Sequence, residues 1–338
     1  MAPRFSDATG RLGRPLLIRL PLRMRNGNRP SRIAAVGCIA VALSLAACGS
    51  DTAPEARATQ DVETAAYPVT VDAANGTVTL EQQPTRIVSL SPTATEMLFA
   101  IGAGDQVIAA EENSNFPPEA PDTKLSGFEP NVEAIAGYDP DLVIASNEPG
   151  DLESSIEALD VTFLLQPAAM TLDDTYAEIE ELGELTGHVA EAAALMESMR
   201  AEIDELQASL PTFDTAPSYF HELDDNYFTA TSKTFIGRVY GELGLTNIAD
   251  AADKGGSGYP QLSAEYIIDA DPDLIFLADT KCCGQSAATV AQRAGWDQIT
   301  AVREGGVVEL DDDIASRWGP RVVDFLRTVA EAVAGLGS

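Results

Sequence analysis

The sequence predicts an α/β protein of two Rossmann-like α/β lobes joined by one long linker helix. Three observations carry that reading. Short β-branched runs alternate with helical stretches in both halves, a three-to-four-residue apolar periodicity is sustained through the middle, and the halves share an internal repeat offset by 132 residues. Strands alternating with helices are the pattern of parallel sheets with crossover helices.

The N-terminus decides which residues enter the fold. Ile33 to Ala47 form an apolar and small-residue run preceded by Arg25, Arg29 and Arg32, the pattern of an export signal. The run is shorter than the roughly 20 apolar residues needed to span a bilayer. It ends in Leu45-Ala46-Ala47-Cys48-Gly49, which resembles a bacterial lipobox. That resemblance implies cleavage before Cys48 and acylation of its thiol, with chains worth about 0.8 kcal/mol per buried CH₂ holding the mature protein on the outer face of the cell membrane. Residues 1–47 are expected to be a signal peptide, with Met24 an alternative translation start. Residues 48–66, poor in large apolar side chains, are expected to be the lipid anchor and a flexible tether.

Removing residues 1–47 takes away eight arginines and one aspartate and moves the net charge from −32 to −39. Nucleic acid and anionic lipid repel so acidic a surface, so no nucleic-acid partner is expected and the membrane is met only through the anchor.

The fold is expected to begin at Tyr67, with an N-terminal α/β lobe over 67–170. Val69-Thr70-Val71 and Thr77-Val78-Thr79-Leu80 alternate around Asn75-Gly76, a hairpin signal. Arg86 to Leu90 reads as a buried strand, and Thr93-Ala94-Thr95-Glu96 as a capping box opening a helix to Ala100. Further strands are expected at Val107–Ala109, Leu142–Ala145 and Val161–Leu165. From Leu172 to Leu210 apolar residues recur at helical spacing, broken at Thr186-Gly187-His188. These are the linker helices, over 171–210, the second about 33 Å long at 1.5 Å per residue. A C-terminal α/β lobe follows over 211–338, with strands at Ser218–Glu222, Asp273–Ala278 and Val307–Leu310 and a closing helix from Pro320 to Ala334.

The repeat places Val132-Glu133-Ala134-Ile135-Ala136-Gly137-Tyr138-Asp139-Pro140-Asp141-Leu142 on Ala264-Glu265-Tyr266-Ile267-Ile268-Asp269-Ala270-Asp271-Pro272-Asp273-Leu274. Each copy reads as an N-cap residue, Asn131 or Ser263, then a short helix, an Asp-Pro turn and a strand.

Catalysis finds little to work with. Beyond residue 47 there are two histidines, His188 and His221, and no Gly-x-Ser-x-Gly elbow, Walker loop or His-Glu-x-x-His. Scarce imidazoles also argue against a bare zinc or manganese ion, so no metal site and no resident cofactor are expected. An extracellular adhesion or scaffold lipoprotein stays open on composition alone.

Arg86-Ile87-Val88-Ser89-Leu90-Ser91-Pro92-Thr93-Ala94-Thr95-Glu96, the two Asp-Pro-Asp-Leu repeats and Ser316-Arg317-Trp318-Gly319-Pro320-Arg321 together resemble the periplasmic-binding family for iron chelates and cobalamin. The resemblance covers Tyr67 to Gly335 and implies a class III periplasmic binding protein, with a shallow ligand cleft between lobes. It implies a monomer that hands a small metal chelate, a ferric siderophore or alternatively cobalamin, another corrinoid or haem, to an ABC permease dimer with its ATPase subunits. Glu133 and Glu265 match the family's docking glutamates. The repeat supports that placement, because a two-fold permease presents the same pocket twice. The same residues also complement a helix dipole.

Family matching and loops at strand ends nominate Phe128, Tyr227, Phe228, Tyr259 and Arg317 as ligand contacts. Several of these family positions carry tryptophan; here they are Phe128, Ser146 or Asn147, and Tyr259, which favours an iron chelate over cobalamin. Anionic siderophores would be drawn to Arg317, assisted by Lys281, although Arg317 can instead pair with Asp312 or Asp313. His221, Glu222, Asp224 and Asp225 form a polar cluster at a strand end, readable as ligand contacts or as a solvated turn. Trp318 reads as packing. Adjacent Cys282 and Cys283 can close a strained vicinal disulfide or remain a thiol pair.

Overall fold

A computed structural model describes residues 66–337. The export segment, Met24, Cys48 and the tether up to residue 65 lie outside the described residues. Among the described residues no helix is long and apolar enough to cross a membrane.

The chain opens with an antiparallel hairpin, β1 (Val69–Ala73) and β2 (Gly76–Leu80). Its turn differs from the expected one. Ala73 pairs with Gly76, so Ala74 and Asn75 form the turn, and Gly76 opens β2 at φ 111°, a conformation open to glycine. The Asn75 side chain is engaged elsewhere: it donates to Glu153 Oε1 at 2.7 Å and accepts from the Leu165 amide at 3.1 Å. One residue thereby pins the hairpin to the lobe.

The N-terminal lobe has four parallel strands, β3 (Ile87–Leu90), β4 (Val107–Ala110), β5 (Leu142–Ala145) and β6 (Thr162–Leu165), in the order β4-β3-β5-β6. The C-terminal lobe has β7 (Ser218–Glu222), β8 (Thr246–Asn247), β9 (Leu274–Leu277) and β10 (Val307–Glu309). Its order, β10-β9-β7-β8, is the same winding taken from the other edge. β3, β5 and β9 are buried throughout, as expected of strands covered on both faces.

The repeat is visible atom by atom. Ile87 stands opposite Leu142 and Tyr219 opposite Leu274, both pairs separated by the 132-residue offset. Asn131 and Ser263 cap their helices by accepting from the Ala134 and Tyr266 amides. Asp139 and Asp271 both take positive φ, 51° and 45°, in the turn before each proline. Asp141 and Asp273 each accept amide hydrogens from the start of the neighbouring strand, at Thr85 and Arg86 in one lobe and Ser218 in the other.

Between the lobes run helices Leu172–Thr186 and Val189–Ser209, the second of 21 residues. Gly187 separates them at φ 80°. Thr171 and Asp174 form a capping box at the first helix. The largest apolar core joins Ile179, Leu182 and Ile203 of these helices with Met97 and Leu98 of one lobe and Tyr240, Phe325 and Leu326 of the other. The strut therefore shares its core with both lobes.

The expected capping box at Thr93 is corrected. Pro92, favoured at a first helical position, starts the helix Pro92–Ala100, and Ser91 is its N-cap, accepting from the Ala94 amide at 3.3 Å. Glu96 thus falls beyond the capping turn and is 3% exposed. It accepts from Arg317 Nη1 at 2.6 Å and Arg321 Nε at 2.9 Å, both from the far lobe. Around this knot Arg317 also donates to the Asn113 carbonyl, Asn115 to Asp313, and Thr175 to the Trp318 carbonyl. Trp318 is partly buried and donates its indole N–H to Glu178 at 2.9 Å.

Removing the charge of Glu96 strands two arginines in a dry place. Glu96→Gln is expected to destabilise the fold by about 3–5 kcal/mol. The readout is the urea midpoint at neutral pH, and an unchanged midpoint would show that the knot carries no stability.

Candidate functional site

In a parallel sheet the loops at the C-terminal strand ends face a common edge, where α/β proteins bind ligands. In this chain most residues nominated for ligand contact lie on or next to those loops, while Glu222 ends β7 and Lys281 belongs to the helical turn Thr280–Cys283. They do not all present free side chains.

Two aromatics come forward in matching frames. Gly127 crosses the end of β3 so closely that an added Cβ would stand 2.5 Å from the Leu90 carbonyl oxygen. Before it, Ser126 Oγ accepts from the amides of Phe128 and Glu129, and the Phe128 ring is left 75% exposed. In the other lobe Ser257 Oγ accepts from the Tyr259 amide, Gly258 sits at φ 81°, and Tyr259 is 50% exposed. Asp253 holds that turn through the amides of Ser257 and Gly258, contacts that keep its carboxyl below its ordinary range. Ser-Gly-Phe and Ser-Gly-Tyr stand 131 residues apart, each just before a helix of the repeat. Phe228 is bridged to Gln261, two residues past Tyr259 in the chain, and is also exposed. Asn147 stands exposed just beyond β5, as does Asp225 beyond β7. Asp224 is half-buried and holds the turn by accepting from the Asn226 and Phe228 amides.

Other nominated groups are engaged inside the protein. Glu222 is fully buried and forms a two-pronged pair with Arg293, whose Nη1 donates to Oε2 at 2.6 Å. A buried carboxylate at a strand end needs such a partner, so Glu222 is a structural acid rather than a free ligand contact. Tyr227, at φ 67°, packs on Trp296 with ring centroids 5.6 Å apart, under the Arg293 guanidinium. Arg317 is 8% exposed and its guanidinium is taken by Glu96, Asn113 and Asp313. Its expected alternative partner is only half right: Asp313 contributes at 3.3 Å, whereas Glu96 holds it closest. Lys281 Nζ pairs with Asp311 at 2.7 Å and Asp313 at 2.8 Å. His221 is buried, its Nδ1 bonded to the Tyr240 hydroxyl at 2.8 Å, and burial pushes its pKa down to about 3. It stays neutral and contacts no solvent.

Arg293 and Asp279 were not legible. Nothing near Arg293 in sequence marks it, since it meets Glu222 across 71 residues; the one available signal was that a glutamate ending a buried strand requires a cation. Asp279 is fully buried beside that pair, and its carboxyl is pushed up to about 7, by burial first and the Glu222 charge second. Among the described residues no group of three or more His, Cys, Asp or Glu side chains is arranged to hold a metal ion.

Cys282 and Cys283 are free and exposed. They belong to the helical turn Thr280–Cys283, where neighbouring Cα atoms keep the 3.8 Å trans spacing, shorter than the roughly 4.4–6.8 Å that disulfides use. No bond joins the two sulfurs in this structure. The hydrogen bond with Cys283, followed by burial and nearby acids, pushes the Cys282 thiol up to about 12. Alkylation followed by peptide mapping should label both thiols without reductant, and Cys282 slowly at neutral pH, rising about tenfold per pH unit as thiolate forms. A peptide two mass units lighter and refractory to alkylation would contradict the free pair.

The periplasmic binding protein family model matches residues 87–314, from the first residue of β3 to beyond β10. An uncharacterised ABC transporter substrate-binding lipoprotein of Bacillus subtilis is 31% identical over 303 residues, covering 86% of this chain and 93% of that one. A cobalamin-binding protein of Halobacterium salinarum is 32% identical over 312 residues, covering 89% and 84% respectively. The crystal structure of the periplasmic vitamin B12-binding protein of Vibrio cholerae aligns with a TM-score of 0.61 at 26% identity, over 74% of this chain and 96% of that one. Two like-wound parallel lobes on a helical strut, matched over both lobes at once, place this chain in the periplasmic binding protein family, in its class III form, as a binding protein and not an enzyme.

Proposed function

We propose that this chain is the extracytoplasmic, lipid-anchored binding protein of an ABC importer, and that its cargo is a corrinoid. The observation that carries the cargo is the pair of exposed aromatics, Phe128 and Tyr259, each following a Ser-Gly pair whose serine oxygen accepts from the aromatic residue's amide, with Phe228 exposed as well. Exposed aromatic rings suit a broad macrocycle whose rim is largely amide. The ferric siderophore favoured by sequence rested on the missing tryptophans and on Arg317 and Lys281 as anion partners, and both of those cations are ion-paired within the protein. Haem, with its propionates, meets the same shortage. The kinship with the cobalamin-binding protein of Halobacterium salinarum supports the same choice.

Delivery follows from Glu133 and Glu265. Both are exposed in the first turn of equivalent helices, capped by Asn131 and Ser263. The backbone amide of Glu265 and the Ser263 hydroxyl hold the Glu265 carboxyl below its ordinary value, so it stays ionised for an arginine partner. One monomer meets both halves of a permease dimer, whose ATPase subunits drive release, while Cys48 keeps it at the membrane.

Titration with cyanocobalamin, a ferric hydroxamate and haem, read by melting temperature and calorimetry, tests the cargo. Cyanocobalamin at 100 times its dissociation constant should add about 2.7 kcal/mol of stability, and the double change Phe128→Ala with Tyr259→Ala should weaken binding by about tenfold or more. Binding of the hydroxamate alone, or an affinity untouched by the double change, rejects the corrinoid reading. Separately, Glu133→Lys with Glu265→Lys should abolish uptake in cells while leaving ligand affinity intact; undiminished uptake removes the docking role.

A further inference from the structure

Asp279 follows β9 and heads the helical turn Thr280–Cys283, the position at which an aspartate ordinarily accepts amide hydrogens. Its side chain caps nothing. The amides of Thr280, Lys281 and Cys282 are taken instead by Asp312, at 2.9, 2.9 and 3.0 Å. The Asp279 carboxyl turns inward, is fully buried, and neither of its oxygens meets a hydrogen-bond donor. An ionised carboxylate left dry and without a donor is strongly disfavoured, so the stable form is the acid.

As an acid Asp279 has one hydrogen to donate, and Glu222 is within hydrogen-bond reach to accept it. Glu222, at the end of β7, is also fully buried and is paired to Arg293. Two acids and one guanidinium therefore meet in a dry space, and they balance in charge only while one acid keeps its proton. Other titratable groups stand around them. Cys282, hydrogen-bonded to Cys283, feels the charges of Asp279 and Asp312, and Tyr227 faces Arg293 from the neighbouring loop. Lys281 is drawn away to Asp311 and Asp313, and His221, beside Glu222 on β7, is turned to Tyr240.

The cluster is wired to the cleft edge that carries Phe228. The Asp279 carbonyl accepts from the Cys283 and Gln285 amides, and Gln285 Oε1 accepts from Arg293 Nη2 at 2.8 Å. Arg293 in turn lies over the rings of Tyr227 and Trp296, and Tyr227 adjoins Phe228 in the chain. We propose that Asp279 and Glu222 share a single proton, and that its loss loosens the turn Thr280–Cys283 and the Tyr227–Phe228 loop together, a pH-sensitive latch on the C-terminal cleft edge. The step is a plain ionisation: the O–H bond of the shared acid breaks, the proton passes to solvent, and two carboxylates then compete for Arg293. It falls near neutrality, since burial first and the Glu222 charge second push the Asp279 carboxyl up to about 7. A folded value raised above the unfolded one, near 4, means that stability falls about tenfold per pH unit between the two, so the latch is closed in mild acid and open above neutrality.

The test uses the mature lipoprotein in detergent, carrying Trp318→Phe so that Trp296, 4.5 Å beneath Arg293, is the one emitting indole. Its emission should titrate with a midpoint near pH 7, and Asp279→Asn, whose amide can still donate to Glu222, should abolish that titration. Hydrogen exchange over residues 280–285, corrected for intrinsic rate, should be about tenfold faster at pH 8 than at pH 6, and equal at both in the variant. Should Asp279→Asn not fold, as judged by near-UV circular dichroism, carbon-13 labelling of aspartate in the wild-type chain answers the same question by NMR: one carboxyl carbon should titrate near pH 7. On the reading of this edge as the cargo site, cyanocobalamin should also bind about tenfold less tightly at pH 8 than at pH 6. Failure to bind at either pH counts against that reading, and the ligand-free titration still decides the latch. Flat emission, a midpoint that survives Asp279→Asn, no aspartate carbon titrating near neutrality, or cobalamin bound equally at both pH values would each overturn the proposal.

Discussion

The meeting of Glu96 with Arg317 and Arg321 joins the two halves of the molecule. One carboxylate, buried in the first helix of the N-terminal lobe, satisfies two guanidinium groups that arrive 221 and 225 residues later. In a dry interior such an arrangement tolerates little displacement, since moving either partner leaves a charge without solvent or counterion. The segment bearing both arginines starts at the end of β10 and leads into the last helix, Val322–Leu336, which packs on the strut. Through Arg317 the knot also reaches the Asn113 carbonyl and Asp313, so it ties the loop after β4 to the loop after β10.

That dependence also explains which parts of the molecule the sequence revealed. Patterns local to ten or twenty residues were legible: β5, the strut break at Gly187, and the twin caps Asn131 and Ser263 stand where periodicity and capping chemistry put them. So was the pairing of the lobes, because a repeat offset of 132 residues survives as strand register. Illegible were the partners of charged side chains. Glu96 read as a cap because serine, threonine and glutamate spacing is a local code, while its real partners lie two hundred residues away. Arg317 read as a ligand contact from the family's late motif and Glu222 from its strand end, yet each is claimed by an opposite charge that no local rule could supply. The exposed aromatics were legible because nothing in the fold competes for them.

The same distinction separates the two lobes' cleft surfaces. A Ser-Gly pair whose serine oxygen accepts from the following aromatic's amide recurs in both. Around them the lobes diverge: the C-terminal edge adds Phe228 and a buried Glu222–Arg293–Asp279 group, whereas the N-terminal edge has the long excursion from Glu111 to Pro130. Duplication supplied the frame, and the side chains laid on it made two unlike faces that a single asymmetric ligand can tell apart.

The shared winding of the sheets has one more consequence. Glu133 and Glu265 ride on equivalent capped helices, one in each lobe. On the proposed docking role, a carrier with two equivalent contacts meeting a two-fold partner has two productive headings instead of one, a statistical gain of about 0.4 kcal/mol in the encounter.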